Sequence, residues 1–258
     1  MIIAASSVSY RNKRNTNILE QITCAKRDGF SACELHACFR GQRLSEEDID
    51  TALKDEMTFS VHANFKDNNI SSLDPGIQNT SVSQIKEDIL FAKAINARVV
   101  VAHPGCGETG YEEEAYDRLN QSLQELIPFA RERQIVFTLE NMDGTENKLF
   151  SRHQDVKNIL ALHPDLKLTI DFAHLGMTNQ DISFFLNDFA DRIAHFHISG
   201  YFPERPHPKV PLEESQIDFS PYLRRIRDWD MLIAIEISDR LGVRQSRAII
   251  ENAFGGRL

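Results

Sequence analysis

Short apolar runs alternate with longer amphipathic runs along the whole chain. The apolar runs are rich in β-branched residues and hold few polar positions, which is typical of strands buried on both faces. They predict eight strands: Ile2–Ala5, Ala32–Leu35, Thr58–Val61, Arg98–Ala102, Ile135–Leu139, Lys167–Ile170, Ile193–Phe196 and Leu232–Ile235.

The segments between these strands carry apolar residues at helical spacing. They predict helices over about Asn17–Asp28, Ser45–Asp55, Ser81–Asn96, Glu112–Arg133, Arg152–Leu162, Gln180–Ala190, Pro221–Arg227 and Val243–Ala253. The fourth of these opens with three glutamates and closes with Arg131 and Arg133, an order that suits the helix dipole. Pro128 is expected to bend or interrupt it.

The regular alternation of strand and helix predicts an α/β protein with a parallel sheet. A chain of 258 residues matches the roughly 250 residues of one (β/α)8 TIM barrel, so we expect a single barrel domain over residues 1–258. A doubly wound open sheet would alternate similarly. It would usually carry a nucleotide-binding glycine fingerprint near the first strand, and this sequence has none there.

Composition narrows the classes of function. The chain has 29 basic and 38 acidic residues, a net charge of −9, which argues against a protein that coats nucleic acid. Its four cysteines form no CxxC pair, so reduced thiols and a cytoplasmic location are expected. No apolar run approaches the roughly 18 residues that a membrane span requires.

Each of the last six predicted strands ends in, or is followed by, a candidate metal ligand. In a (β/α)8 barrel the carboxyl ends of all strands meet at one mouth. Carboxylates and imidazoles placed there are costly to bury without partners, so the pattern predicts a bound cation, and oxygen with nitrogen ligands suits zinc or manganese. The candidates, in strand order, are His62, His103, Glu140, Asp171 with His174, His195 with His197, and Glu236.

Seven motifs together resemble the xylose isomerase-like barrels. This superfamily comprises sugar and sugar-phosphate isomerases and epimerases, together with the endonuclease IV group of abasic-site nucleases. The resemblance covers the chain from about Phe59 to Glu236. Its motifs are His62-Ala-Asn-Phe65, His103-Pro-Gly105, Glu140-Asn141, Asp171-x-x-His174, His195-x-His197, His207-Pro and the final Glu236.

The resemblance to the epimerases implies one divalent metal, manganese, zinc, cobalt or magnesium, held by Glu140, Asp171, His197 and Glu236. The metal would stabilise an enediolate, and Glu140 and Glu236 would be the catalytic residues that take and return the proton. The substrate would be a small sugar or sugar phosphate. The residues expected to bind it are His62, Phe65, His103, His174, Arg205 and His207.

The resemblance to the nucleases implies a zinc-dependent abasic-site endonuclease with more metal ligands. His62, His103, His174 and His207 would join the set, and nucleic acid would be the partner. That branch has an aspartate two residues before the last histidine, where this chain has Arg205, so one ion is favoured over three. A non-catalytic metal-binding barrel is the third alternative.

Several basic residues fall in the loops expected at the mouth. They suggest an anionic ligand, although a solvated surface would look the same. These residues are Arg11, Lys13, Arg14, Arg40, Arg43, Lys66, Arg205 and Lys209. His195 is expected to support or pack against the site, and His36, His153 and His163 to be surface or packing residues. Barrels of this kind often pair, so a homodimer is one option.

Overall fold

Eight parallel strands close into a barrel in a computed structural model that describes residues 1–11, 17–37, 46–54, 56–205 and 210–255. Each strand pairs with the next in sequence, and the eighth pairs with the first. The strands are β1 (Ile2–Ser6), β2 (Ala32–His36), β3 (Thr58–His62), β4 (Val99–Ala102), β5 (Val136–Glu140), β6 (Lys167–Asp171), β7 (Ile193–Ile198) and β8 (Leu232–Ile235). The predicted (β/α)8 fold is confirmed.

Helices occupy the connections between strands. They are α1 (Ile18–Arg27), α2 (Glu46–Leu53), α3 (Pro75–Ala94), α4 (Glu112–Glu132), α5 (His153–Leu162), α6 (Phe172–Met177), α7 (Ile182–Asp188), α8 (Ser220–Ile226) and α9 (Arg240–Ala253). Short 3₁₀ turns cover Ser7–Tyr10, Thr145–Asn147 and Leu212–Glu214. Within the described residues, no helix combines the length and apolarity needed to cross a membrane.

Local chemistry explains where the helices depart from the prediction. Helix α3 begins at Pro75, six residues early, because Asp74 accepts hydrogen bonds from the amides of Gly76 and Ile77 and proline suits the first turn. Helix α4 continues past Pro128, so the proline does not interrupt the helix, and a bend there stays a prediction. Ile127 and Ala130, close to it in sequence, are buried.

The interior of the barrel is built in layers that follow the period-two alternation of strand side chains. An apolar cluster inside the barrel consists of Ala4, Ala32, Leu232 and Ala234, from β1, β2 and β8. A polar middle layer lies two residues before the last interior position of five strands and includes Glu34, Ser60, Thr138, Thr169 and His195. The upper layer therefore holds the last interior position of each strand, and it carries the predicted ligands.

Candidate active site

A cavity of about 540 Å³ opens at the carboxyl ends of the strands. It lies where the fold predicts the site and falls within the usual size of a small-molecule pocket. Its lining is dominated by imidazoles and carboxylates with one aromatic wall. The main lining residues are His36, His62, Phe65, Lys66, His103, Glu140, Met142, Asp143, Lys148, His174 and Glu236.

Four of the predicted ligands converge at the base of this cavity. One ligand atom from each of Glu140, Asp171, His197 and Glu236 lies within 4.8 Å of every other. Glu140 and Asp171 end β5 and β6, His197 lies one residue before the end of β7, and Glu236 follows β8 directly. All four are buried. This spacing fits one divalent ion, although their role as ligands stays a prediction.

The electrostatics of Glu140 also fit a cation. Burial opposes ionisation of its carboxyl, but His197, His103 and His62 outweigh burial and hold its pKa well below the usual range. Among the residues that the structure describes, none makes a hydrogen bond to the buried Oε2 atom of Glu140. Two imidazole nitrogens, of His62 and His103, approach this oxygen to within 3.5 Å, and a cation bound there would stabilise the buried carboxylate.

His197 joins the two glutamates. Its Nδ1 atom lies 3.1 Å from Glu140 Oε1 and 3.5 Å from Glu236 Oε2. Burial lowers the pKa of His197, but Glu34 and Glu140 raise it well above the ordinary histidine value. The two predicted catalytic carboxylates therefore flank one imidazole nitrogen.

His62 and His103 form a second group around Glu140. Their Nε2 atoms lie 3.5 Å and 3.2 Å from Glu140 Oε2, and their rings are inclined by 76°. His62 Nδ1 lies 2.9 Å from the carbonyl oxygen of Ala63. That contact places a ring hydrogen on Nδ1. In the neutral ring, Nε2 then has a free lone pair, and this is the nitrogen that faces Glu140. These three residues could hold a second ion or contact a substrate.

The remaining predicted substrate residues have different positions. Phe65 stacks on His103, with ring centroids 5.0 Å apart, and forms a wall of the cavity. His174 lines the cavity, and its Nδ1 donates to the carbonyl oxygen of Asn141 at 2.8 Å. Arg205 pairs with Glu214 and is not one of the described residues that line the cavity. His207 lies outside the described residues.

Only some of the basic residues predicted at the mouth of the barrel lie among the described residues. Lys66 lines the cavity, whereas Lys13, Arg14, Arg40, Arg43 and Lys209 lie outside the described residues. The structure adds Lys148, which the sequence did not single out. Its Nζ lies 3.0 Å from Asp143 Oδ2, and both residues line the cavity.

Strand β2 contributes two residues that the sequence interpretation missed. His36 is buried, lines the cavity and stacks on His62 with centroids 4.6 Å apart, so it packs within the site and is not a surface residue. Glu34 was not singled out, yet it lies fully buried in the middle layer. A glutamate at the centre of the apolar run Ala-Cys-Glu-Leu-His was the available signal.

Comparison with known families agrees with the fold. A family model described as "Xylose isomerase-like TIM barrel" matches residues 22–253. Two uncharacterised proteins of Methanocaldococcus jannaschii are similar. MJ1188 is 29% identical over 67% of this chain and 64% of its own length, and MJ1311 is 26% identical over 97% and 88%. The chain thus spans a little under two thirds of MJ1188.

Solved structures share the architecture over nearly their full length. A D-tagatose 3-epimerase-like protein superimposes with a TM-score of 0.85 at 23% identity, covering 98% of this chain and 97% of that one. L-ribulose 3-epimerase gives 0.84 at 14%, covering 99% and 95%. The probable 3-DHS dehydratase AsbF of Bacillus anthracis gives 0.78 at 14%, covering 98% and 99%. At these identities the likeness concerns the fold.

Proposed function

Because the chain belongs to the xylose isomerase-like TIM barrel family, we propose that it is a divalent-metal-dependent isomerase or epimerase of a small sugar or sugar phosphate. The observation that carries this proposal is the placement of Glu140 and Glu236 on either side of His197 Nδ1, beneath the cavity. The structural likeness to sugar 3-epimerases supports it. The likeness to a probable dehydratase shows that the fold alone does not select a reaction.

The paired glutamates suit proton transfer at a carbon beside a carbonyl group. Such a reaction removes a proton from carbon and returns one, to the opposite face in an epimerase or to the neighbouring carbon in an isomerase. Glu140 and Glu236 come from strands separated by β6 and β7, so each can approach a bound substrate from its own side. A divalent ion held with Asp171 and His197 would supply positive charge that stabilises the enediolate.

The rest of the cavity suits a compact polyol. Phe65 offers an apolar ring face for the carbon–hydrogen side of a sugar, and the surrounding imidazoles offer hydrogen bonds to hydroxyl groups. Lys66 adds positive charge at the lining, which favours a phosphorylated substrate, whereas the charge of Lys148 is balanced by Asp143. The proposal therefore includes both free sugars and sugar phosphates.

Exchange of carbon-bound hydrogen tests the reaction even while its product is unidentified. The protein loaded with manganese or cobalt is incubated in D₂O with ketopentoses, ketohexoses and their phosphates, and deuterium next to the carbonyl is measured by mass spectrometry. We expect incorporation with at least one sugar and its loss in Glu236→Gln. Glu125→Gln, at an exposed glutamate that pairs with Lys86, is the matched control. A metal-loaded protein that labels no sugar would contradict the proposal.

A zinc-dependent abasic-site endonuclease is the second candidate, favoured by one observation. His62 and His103 both face Glu140 Oε2, and the three residues form a compact group of ligand atoms. The net charge of −9 weighs against binding a phosphate backbone. Cleavage of a synthetic abasic duplex by the zinc-loaded protein, with no deuterium exchange into sugars, would replace the first proposal with this one.

A further inference from the structure

Glu34 is a charged group enclosed in the centre of the barrel. Its side chain is 0% exposed. The Oε2 atom accepts a hydrogen bond of 3.0 Å from the hydroxyl of Ser60 and lies 3.3 Å from His195 Nε2. The Oε1 atom lies 3.0 Å from His197 Nε2, and neither atom makes a hydrogen bond of standard geometry with any described residue. None of these contacts reaches the substrate cavity, whose described lining does not include Glu34.

The buried carboxyl of Glu34 lies among imidazoles, with His195 and His197 both within 3.3 Å of its oxygens. Burial raises the pKa of this carboxyl, whereas His197, followed by His195 and His36, lowers it. A buried carboxylate is costly unless its partners are well placed. Since Glu34 lies beneath the candidate metal ligands, a role at that site would offset the free-energy cost of burying its carboxylate.

The two ring nitrogens of His197 face different carboxylates. Nδ1 points up toward Glu140 and Glu236, whereas Nε2 points down toward Glu34. The ring also stacks on His62, with centroids 5.6 Å apart and planes inclined by 15°. A histidine that binds a metal does so through a nitrogen without hydrogen, and its other nitrogen then carries the hydrogen and donates it to a neighbour.

We infer that Glu34 is a positioning residue: its Oε1 atom faces His197 Nε2 at 3.0 Å and accepts the Nε2 hydrogen once Nδ1 binds the cation of the candidate site. The inference rests on the proposed function. The Ser60 hydroxyl donates to Glu34 Oε2, and the buried His195 ring lies beside the same oxygen. Strand β2 thus supports the metal site although it supplies none of the four converging ligands.

An ion bound by Glu34, His195 and His197 is the competing arrangement, because their ligand atoms also lie within 4.8 Å of one another. A neutral imidazole has only one nitrogen with a free lone pair. His197 could bind one ion through Nδ1 and another through Nε2 only by losing both of its ring hydrogens. The positioning role requires no such loss, and metal stoichiometry separates the two arrangements.

The test measures manganese affinity in the full-length chain. Glu34→Gln keeps the shape and one acceptor oxygen, and Glu34→Leu removes every acceptor. After chelator treatment and dialysis, each protein is titrated with Mn²⁺ by calorimetry. We expect about tenfold weaker binding for Glu34→Gln and up to about 100-fold weaker binding for Glu34→Leu, the range found for partners of metal-bound histidines. Thr138→Val, which removes a buried hydroxyl of the same layer, should bind as the wild type does.

A second measurement separates positioning from a general structural effect. Selective ¹⁵N labelling of histidines in the zinc-loaded protein reports which nitrogen of His197 carries hydrogen. We expect a protonated Nε2 in the wild type and a faster-exchanging or missing signal in Glu34→Leu. Circular dichroism and thermal unfolding of the metal-free variants confirm that they fold.

The outcomes are distinct. If the wild type binds Mn²⁺ and both Glu34 variants keep its affinity and its His197 tautomer, the inference about Glu34 is overturned while the proposed function stands. Two ions in the wild type and one in Glu34→Leu would also overturn it and would make Glu34 a ligand. A wild-type chain that binds no divalent ion would overturn the proposed function and this inference together.

Discussion

His36 and Glu236, separated by 200 residues of sequence, meet at the mouth of the barrel, where His36 Nε2 lies 3.4 Å from Glu236 Oε1. The amide of His36 donates to the Ser7 hydroxyl oxygen, and the hydroxyls of Ser6 and Ser7 lie 3.4 Å from His36 Nδ1. Because the Ser7 oxygen already accepts, its hydrogen can be donated to Nδ1. His36 then carries its own hydrogen on Nε2 and donates it to Glu236.

This arrangement predicts that His36 orients the glutamate proposed to move protons. His36→Phe should lower the turnover of deuterium exchange roughly tenfold, the effect of losing a hydrogen bond to a charged group, and should change the Michaelis constant less. The comparison variant is Ser7→Ala, which removes only one of the hydroxyls at Nδ1 and should have a smaller effect. Equal turnover in His36→Phe and the wild type would show that Glu236 needs no such partner.

The convergence of four ligand atoms predicts that the metal stabilises the folded protein. Added Mn²⁺ should raise the unfolding temperature of chelator-treated protein, with about 2.7 kcal/mol gained at 100 times the dissociation constant. Asp171→Asn should abolish the rise, because the amide keeps the acceptor for the His174 amide but removes the charge. His153→Gln, at an imidazole packed between phenylalanines, should keep it. Elemental analysis should find one ion per chain.

The ion pair of Asp28 with Arg240 predicts a dependence of stability on pH. Arg240 donates to both oxygens of Asp28, at 2.8 Å and 2.7 Å, and these bonds lower the pKa of the carboxyl. Since the folded-state pKa lies below the unfolded value of about 3.9, the stabilisation is complete above that pH and is lost as the pH falls through the folded-state pKa.

Asp28→Asn should therefore lower the free energy of unfolding by about 1 kcal/mol at pH 7, a modest figure because the arginine is half exposed and screened by solvent. The difference from the wild type should shrink as the pH falls below 4 in urea titrations. Arg131→Gln, which removes an exposed pair with Asp165, should change stability little at any pH. A difference that stays constant across this range would contradict the assignment.

The backbone conformation and surroundings of Gly105, on the cavity wall, predict that any side chain at this position destabilises the folded protein. Its φ is +95°, and an added Cβ would overlap with Asn69 Oδ1, which accepts from the amides of Ser71 and Cys106. Gly110 has a similar φ of +85° but open space around it. Both alanine variants share the backbone strain, so Gly105→Ala should be less stable than Gly110→Ala by roughly 1–3 kcal/mol in chemical unfolding. Equal losses of unfolding free energy in the two variants would mean that the loop around Asn69 can move aside without destabilising the protein.

The fold was predictable because parallel barrel strands are buried on both faces and form continuous apolar runs. The convergence of the candidate ligands on β5 to β8 was predictable because each follows such a run directly. Glu34 was not singled out and His36 was not placed in the site, because the residues they contact, such as His197 and Glu236, lie far away in sequence. Helix α6 was also missed, since six residues are too few to establish a period.

The two polar layers inside the barrel have a consequence for how such a protein can change. Their side chains come from strands, whereas the cavity walls, Phe65, Gly105 and Lys148 among them, come from the connecting loops. Loops can lengthen, shorten or be exchanged without disturbing the register of the strands beneath. Substrate preference can therefore change among relatives, or be redesigned by grafting loops, while the strand residues proposed to transfer protons stay in place.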